Sequence, residues 1–100
     1  MALASTVLGS LVEQQRGEIV AIARKHKAVS VWVFGSVARG EDGPTSDVDF
    51  LVQFEGDSSL FDLLHLEDDL RRLLGCNVDV VSAAALRERD VGIRHDAIAL

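Results

Sequence analysis

Residues 33–54 read VFGSVARGEDGPTSDVDFLVQF, and the fold hangs on how this stretch is cut. Its last third alternates: Val48, Phe50 and Val52 fall on one side of an extended chain, and Asp47, Asp49 and Leu51 on the other. That pattern predicts a half-buried strand over 47–54 with two carboxylates on one face. The run 29–34 before it is rich in β-branched and aromatic residues and stops at Gly35, as a buried strand does. Between them Gly35, Ser36, Gly40, Gly43, Pro44, Thr45 and Ser46 crowd turn formers into a loop, with room for one helical turn at Val37-Ala38-Arg39.

Outward from this centre the signals alternate between helix and strand. Leu8, Leu11, Val12, Ile19 and Ala23 recur at helical spacing and predict one amphipathic helix over 8–26. Downstream, Gly56-Asp57-Ser58 breaks the strand, and Ser59 with Asp62 forms a capping-box pattern ahead of Leu60, Leu63, Leu64, Leu70, Leu73 and Leu74. Gly75 ends that helix. Asn77–Ser82 reads as a third strand, with Asp79 and Val81 opposite Val78 and Val80. Short helical pieces are expected from Ala83. The apolar tail 93–100 reads either as a docking helix or as a partner surface. Trp32 is expected in the core, and Cys76 under the second long helix. The order predicts an α/β (α+β) domain, a small mixed sheet with helices packed on one face. The crossover helix makes its flanking strands parallel.

Composition narrows the function. The chain has 100 residues, 48% hydrophobic, with Lys+Arg 10 against Asp+Glu 16 and a net charge of −6. One domain spanning 1–100 is expected, so a bulky substrate must be held partly from outside. The acidic balance and the lack of a basic run argue against gripping nucleic acid through its phosphates. No apolar run is long enough for a membrane, and residues 1–9 carry no positively charged n-region, so the cytoplasm is the expected compartment.

Asp47 and Asp49 on one strand face, roughly 4–7 Å apart, repel by a few kcal/mol at a protein-like dielectric, and Asp79 on a neighbouring strand adds to this. Taken alone, the Asp-x-Asp pair reads as a solvated strand edge. With Gly35-Ser36 upstream and Asp79 downstream, it reads as a site for hard divalent cations beside a phosphate grip. Gly35 lets the backbone approach a ligand, while Ser36 and the amides after it donate to phosphate oxygens. Arg39 suits a phosphate as well as it suits Glu41 or Asp42. A Walker A loop fails because Glu41-Asp42 stands where Lys-Ser/Thr is required, and an EF-hand fails at Leu51. His26, His65 and His95 lack metal-ligand spacing.

Gly35-Ser36, ten residues, Asp47-Val48-Asp49 and a later strand with Asp79 resemble the signature of the polymerase-β-like nucleotidyltransferases. Within that superfamily the stretch is similar to the minimal nucleotidyltransferase (MNT) antitoxins, whose partners are HEPN-domain toxins. The resemblance implies that Gly35, Ser36 and Arg39 bind the phosphates of ATP. It also implies that Asp47, Asp49 and Asp79 are catalytic and hold two Mg²⁺ ions. The implied reaction is AMP transfer to a hydroxyl, a tyrosine, on the toxin. The alternatives are a catalytically silent antitoxin that neutralises by binding, or a transferase for a small antibiotic-type acceptor.

Overall fold

The computed structural model describes residues 6–43, 47–85 and 96–100. Its central strand follows the alternation of the deciding stretch. β2 (Val48–Phe54) buries Val48, Phe50 and Val52 completely, and these meet Val31 and Val33 of β1 (Ala28–Phe34) and Val78 and Val80 of β3 (Val78–Ser82). The order is β3-β2-β1-β4, where β4 is Ile98–Ala99. β1 runs antiparallel to β2, with Phe34 opposite Asp49 and Trp32 opposite Leu51. β3 runs parallel to β2, with Asp79 beside Asp49, as a helical crossover requires.

The core lies on one side of this sheet. α1 (Val7–Gln14) and α2 (Arg16–Lys25) bring Val12, Ile19 and Ala23 into it, the short α3 (Gly35–Arg39) brings Val37 and Ala38, and α4 (Leu60–Leu74) brings Leu66, Leu70 and Leu74. α4 starts and stops on the signals of its sequence. Ser59 and Asp62 close a reciprocal capping box, with Ser59 N–H donating to Asp62 Oδ2 at 2.8 Å, and Gly75 ends the helix at φ +68°. On its outer side Glu67 Oε2 accepts the Val80 N–H at 3.0 Å, and Glu67 Oε1 pairs with Arg71 at 2.8 Å. His26, which ends α2, lies 2.7 Å from Asp69 Oδ2 and ties α2 to α4.

Several expectations from periodicity are corrected. The single helix over 8–26 is two helices: Gln15 turns out at φ −99°, ψ 11°, yet its N–H still reaches Leu11 O and its C=O still accepts Ile19 N–H, so the break leaves its hydrogen bonds intact. Trp32 is not in the core; it shares the opposite, open face of the sheet with Leu51 and is only half-buried. Leu60 and Leu64 are 68% and 47% exposed, and the fully buried Leu66 takes the place assigned to them. The end of the tail is a strand on β1, with Val33 opposite Ile98, rather than a helix. After β3 the chain forms a 3₁₀ turn at Ala83–Ala85. The remainder of the expected helical pieces, with His95 and residues 93–95 of the tail, lies outside the described residues.

Leu66→Ala is expected to cost about 2–5 kcal/mol, because it empties a fully enclosed position, and Leu64→Ala less than about 1 kcal/mol. Urea unfolding of the two variants measures the difference.

Candidate active site

The three elements carrying the glycine-serine pair and the acids converge because of strand register. Phe34 pairs with Asp49, so Gly35, the next residue, turns off the sheet beside that carboxylate. Gly35 has φ +74°, which disfavours any side chain, and a Cβ there would run into Asp49 Oδ2 and crowd its Cγ. Both the backbone and the neighbour therefore require glycine. From this turn α3 runs for five residues to Gly40 at φ +71°, with Glu41 N–H bonded to Ser36 O at 2.8 Å. The loop expected over 35–46 thus opens as one short helix that begins beside the acidic end of β2.

Asp47 precedes β2, Asp49 lies within it, and Asp79 stands in register on β3. Asp79 is the exposed member, and the other two are half-buried. Burial pushes the Asp49 carboxyl up, the charges of Asp79 and Asp47 push it further, Arg39 opposes them, and a hydrogen bond with Asp79 favours the protonated form; the result is about 6. The three acids are therefore one electrostatic group. Among the described residues, no three His, Cys, Asp or Glu side chains form a ready-made cation cage. The chemistry of the three acids, hard oxygen donors with surplus charge on one face, nevertheless fits a divalent cation such as Mg²⁺.

Arg39 sits across the group. Its Nε donates to Glu41 Oε2 at 3.1 Å, and Nη1 lies 3.5 Å from Asp96 Oδ2. The hydrogen bond to Glu41 leads the interactions that hold its pKa above the ordinary guanidinium value. The Asp96 contact was invisible in the sequence, since it spans the chain and is delivered by β4. Cys76 packs against the core, and burial and then Asp47 push its thiol up, so it is a poor nucleophile at neutral pH.

The nucleotidyltransferase domain model matches residues 18–97. The chain belongs to that family. It is a nucleotidyltransferase, and its relatives carry the same kind of name. A proposed protein adenylyltransferase of Methanocaldococcus jannaschii is 39% identical over 71 residues, 71% of this chain and 76% of its own length. The protein adenylyltransferase MntA of Thermococcus cleftensis is 47% identical over 57 residues, 57% of this chain and 58% of its own. A solved structure described as a minimal nucleotidyltransferase superposes with TM-score 0.83 at 40% identity, covering 95% of this chain and 97% of that one. The fold also matches two toxin–antitoxin complexes. One, with AMP-PNP, gives TM-score 0.71 at 20% identity, covering 83% of this chain and 69% of that one. The other, a tri-AMPylated Shewanella oneidensis HEPN toxin with its MNT antitoxin, gives TM-score 0.66 at 17% identity, covering 87% and 69%.

A carboxyl whose folded pKa is raised costs stability once ionised. Below about pH 4 Asp49 is protonated folded or unfolded and contributes nothing; between there and about 6 the folded state holds the extra proton, so stability falls as pH rises. In metal-free buffer at pH 7, Asp49→Asn is expected to stabilise the nucleotidyltransferase by about 1–2 kcal/mol, reduced from a full value of about 3 by solvent at a half-exposed group. Melts with a chelator across pH 4–7 check this; the gain vanishes toward the acid end.

Proposed function

We propose that this nucleotidyltransferase moves AMP from ATP to a hydroxyl on a partner protein and, by doing so, acts as the antitoxin of a HEPN-domain toxin, with a tyrosine as the acceptor. The observation that carries the reading is the contact geometry of Gly35 against Asp49, with Asp79 in register beside it. A phosphate grip and a group of acids at that separation suit a triphosphate whose α-phosphorus lies over the carboxylates. The names of the adenylyltransferase relatives and the complexes that share the fold support the acceptor class.

In this reading the amide groups and hydroxyl at Gly35 and Ser36 hold the β- and γ-phosphates. Arg39 exchanges its carboxylate partners Glu41 and Asp96 for a phosphate oxygen. Asp47, Asp49 and Asp79 would hold two Mg²⁺ ions, which supply neutralisation of the triphosphate and acidification of the acceptor hydroxyl. The acceptor oxygen bonds to the α-phosphorus as the bond to pyrophosphate breaks, and the hydroxyl proton passes toward the exposed Asp79 carboxylate. Holding the two reactants in line is the main contribution of the fold. The chain contains no tyrosine, so a tyrosine acceptor belongs to another molecule.

Incubation with labelled ATP, Mg²⁺ and a HEPN-domain toxin, where one is encoded beside this chain, is expected to label that toxin. Asp47→Ala/Asp49→Ala is expected to lose at least about 10³-fold in rate, as removal of charge stabilisation at the reacting phosphorus does. An unlabelled toxin that is nonetheless neutralised equally well by this variant would replace the catalytic reading with neutralisation by binding.

A further inference from the structure

The open face of the sheet holds a cavity of about 620 Å³, to whose lining the glycine loop contributes no residue. Its floor is Trp32 and Leu51, which pair across β1 and β2, with Gln53 further along the strand. Its walls include Glu55, Ser58 and Ala84. This volume is in the range of specific ligand sites.

We propose that this cavity receives the acceptor: a Lys- or Arg-flanked segment of a protein partner whose aromatic hydroxyl side chain packs against Trp32 and Leu51. The inference rests on the nucleotidyl-transfer reading of the acids and adds to it the side from which the acceptor arrives. Asp49, Leu51 and Gln53 alternate along one strand face, so each lies ~7 Å beyond the last. Gly35 stands at the opposite end of this line, next to Asp49. Along the strand the order is therefore phosphate grip, acids, cavity. In-line displacement at phosphorus places the entering and leaving oxygens on opposite sides. With pyrophosphate leaving toward Gly35 and Ser36, the entering hydroxyl comes from the cavity side. The bond formed joins the acceptor oxygen to the α-phosphorus, the bond broken releases pyrophosphate, and the hydroxyl proton goes to a carboxylate of the site.

The lining specifies what enters. The half-buried indole of Trp32 offers an aromatic ring a flat apolar seat, with the buried Leu51 beneath it, and Gln53 and Ser58 offer hydrogen bonds at its edge. Asp57 is already paired with Lys27 at 3.5 Å, so the negative charge of the lining is that of Glu55, which in a chain of net charge −6 favours cationic flanking residues. Beyond Ser58 the chain exposes Leu60 and Phe61, 68% and 70% accessible to solvent, an apolar ridge for the rest of a folded partner.

Trp32 is the one tryptophan of the chain, so its emission reports on this cavity directly. The full chain is titrated with a synthetic peptide carrying a single tyrosine between lysines, and separately with Mg²⁺ and AMP-PNP followed by calorimetry. The peptide is expected to change Trp32 emission saturably. Ala84→Arg and Gln53→Arg, both at exposed positions, are expected to weaken peptide binding at least about tenfold and raise the peptide KM without a matching loss of kcat, leaving AMP-PNP affinity unchanged. Peptide binding indifferent to both variants, or loss of AMP-PNP binding in them, which would make the cavity a nucleobase site, overturns the assignment. Failure of the wild-type chain to bind AMP-PNP overturns instead the transfer reading on which it rests.

Discussion

Everything in this small sheet depends on the side to which Phe50 points. Phe50, Val48 and Val52 are fully enclosed between β2 and the helices, and a strand alternates strictly, so the residues between them are forced onto the other face. One of these is Asp49. A slip of one residue would turn Phe50 to solvent and drive a carboxylate into an apolar core, at a cost exceeding the stability of a domain this size. The crossover through α4 then fixes β3 as a parallel neighbour in matching register, which sets Asp79 beside Asp49. Core packing and assembly of the acids are thus settled together: the apolar side chains supply the free energy, and strand geometry places the acids.

The placement so imposed is electrostatically unfavourable. Asp49 is held partly away from water with two further carboxylates facing it, and the opposing charge of Arg39 is already divided between Glu41 and Asp96. Gly35 meets a steric constraint at the same place, since its left-handed backbone leaves no room for a Cβ beside that carboxylate. Such costs concentrate where a protein binds something that relieves them. In the proposed reaction a bound cation would relieve the repulsion by neutralising the acids, and the bare glycine backbone would let a polyphosphate approach them. A more stable sequence at these positions would be a less useful one.

The parts of this arrangement that were legible in the sequence are those set by near neighbours. Alternation fixed the faces of Asp49 and Asp79, the Ser59–Asp62 pair and Gly75 bounded α4, and Gly35-Ser36 with Asp47-Val48-Asp49 carried the family resemblance. The features that escaped were set at a distance. Seven leucines populate α4, and only its contact with the sheet selects Leu66, Leu70 and Leu74 over Leu60 and Leu64. Trp32 is hydrophobic enough for either face, and its place opposite Leu51 is a result of pairing rather than composition. A strand of two residues such as Ile98–Ala99 is too short to show a period, and its tail places Asp96 near Arg39. The pair His26–Asp69 spans 43 positions and has no local signature.

The hydrogen bond from the Val80 amide to Glu67 bears on how the molecule keeps company with other chains. Among the described residues β3 ends the sheet, and an end strand with free amides invites another backbone to join it, the first step toward aggregation. Glu67 occupies one of those amides with a carboxylate that Arg71 holds in place. An incoming strand would have to bring its own carbonyl up against that negative charge. Growth of the sheet by strand addition is discouraged at this border, so a neighbour must recognise the protein through side chains and surface shape instead of by backbone templating, which any sufficiently extended polypeptide can supply.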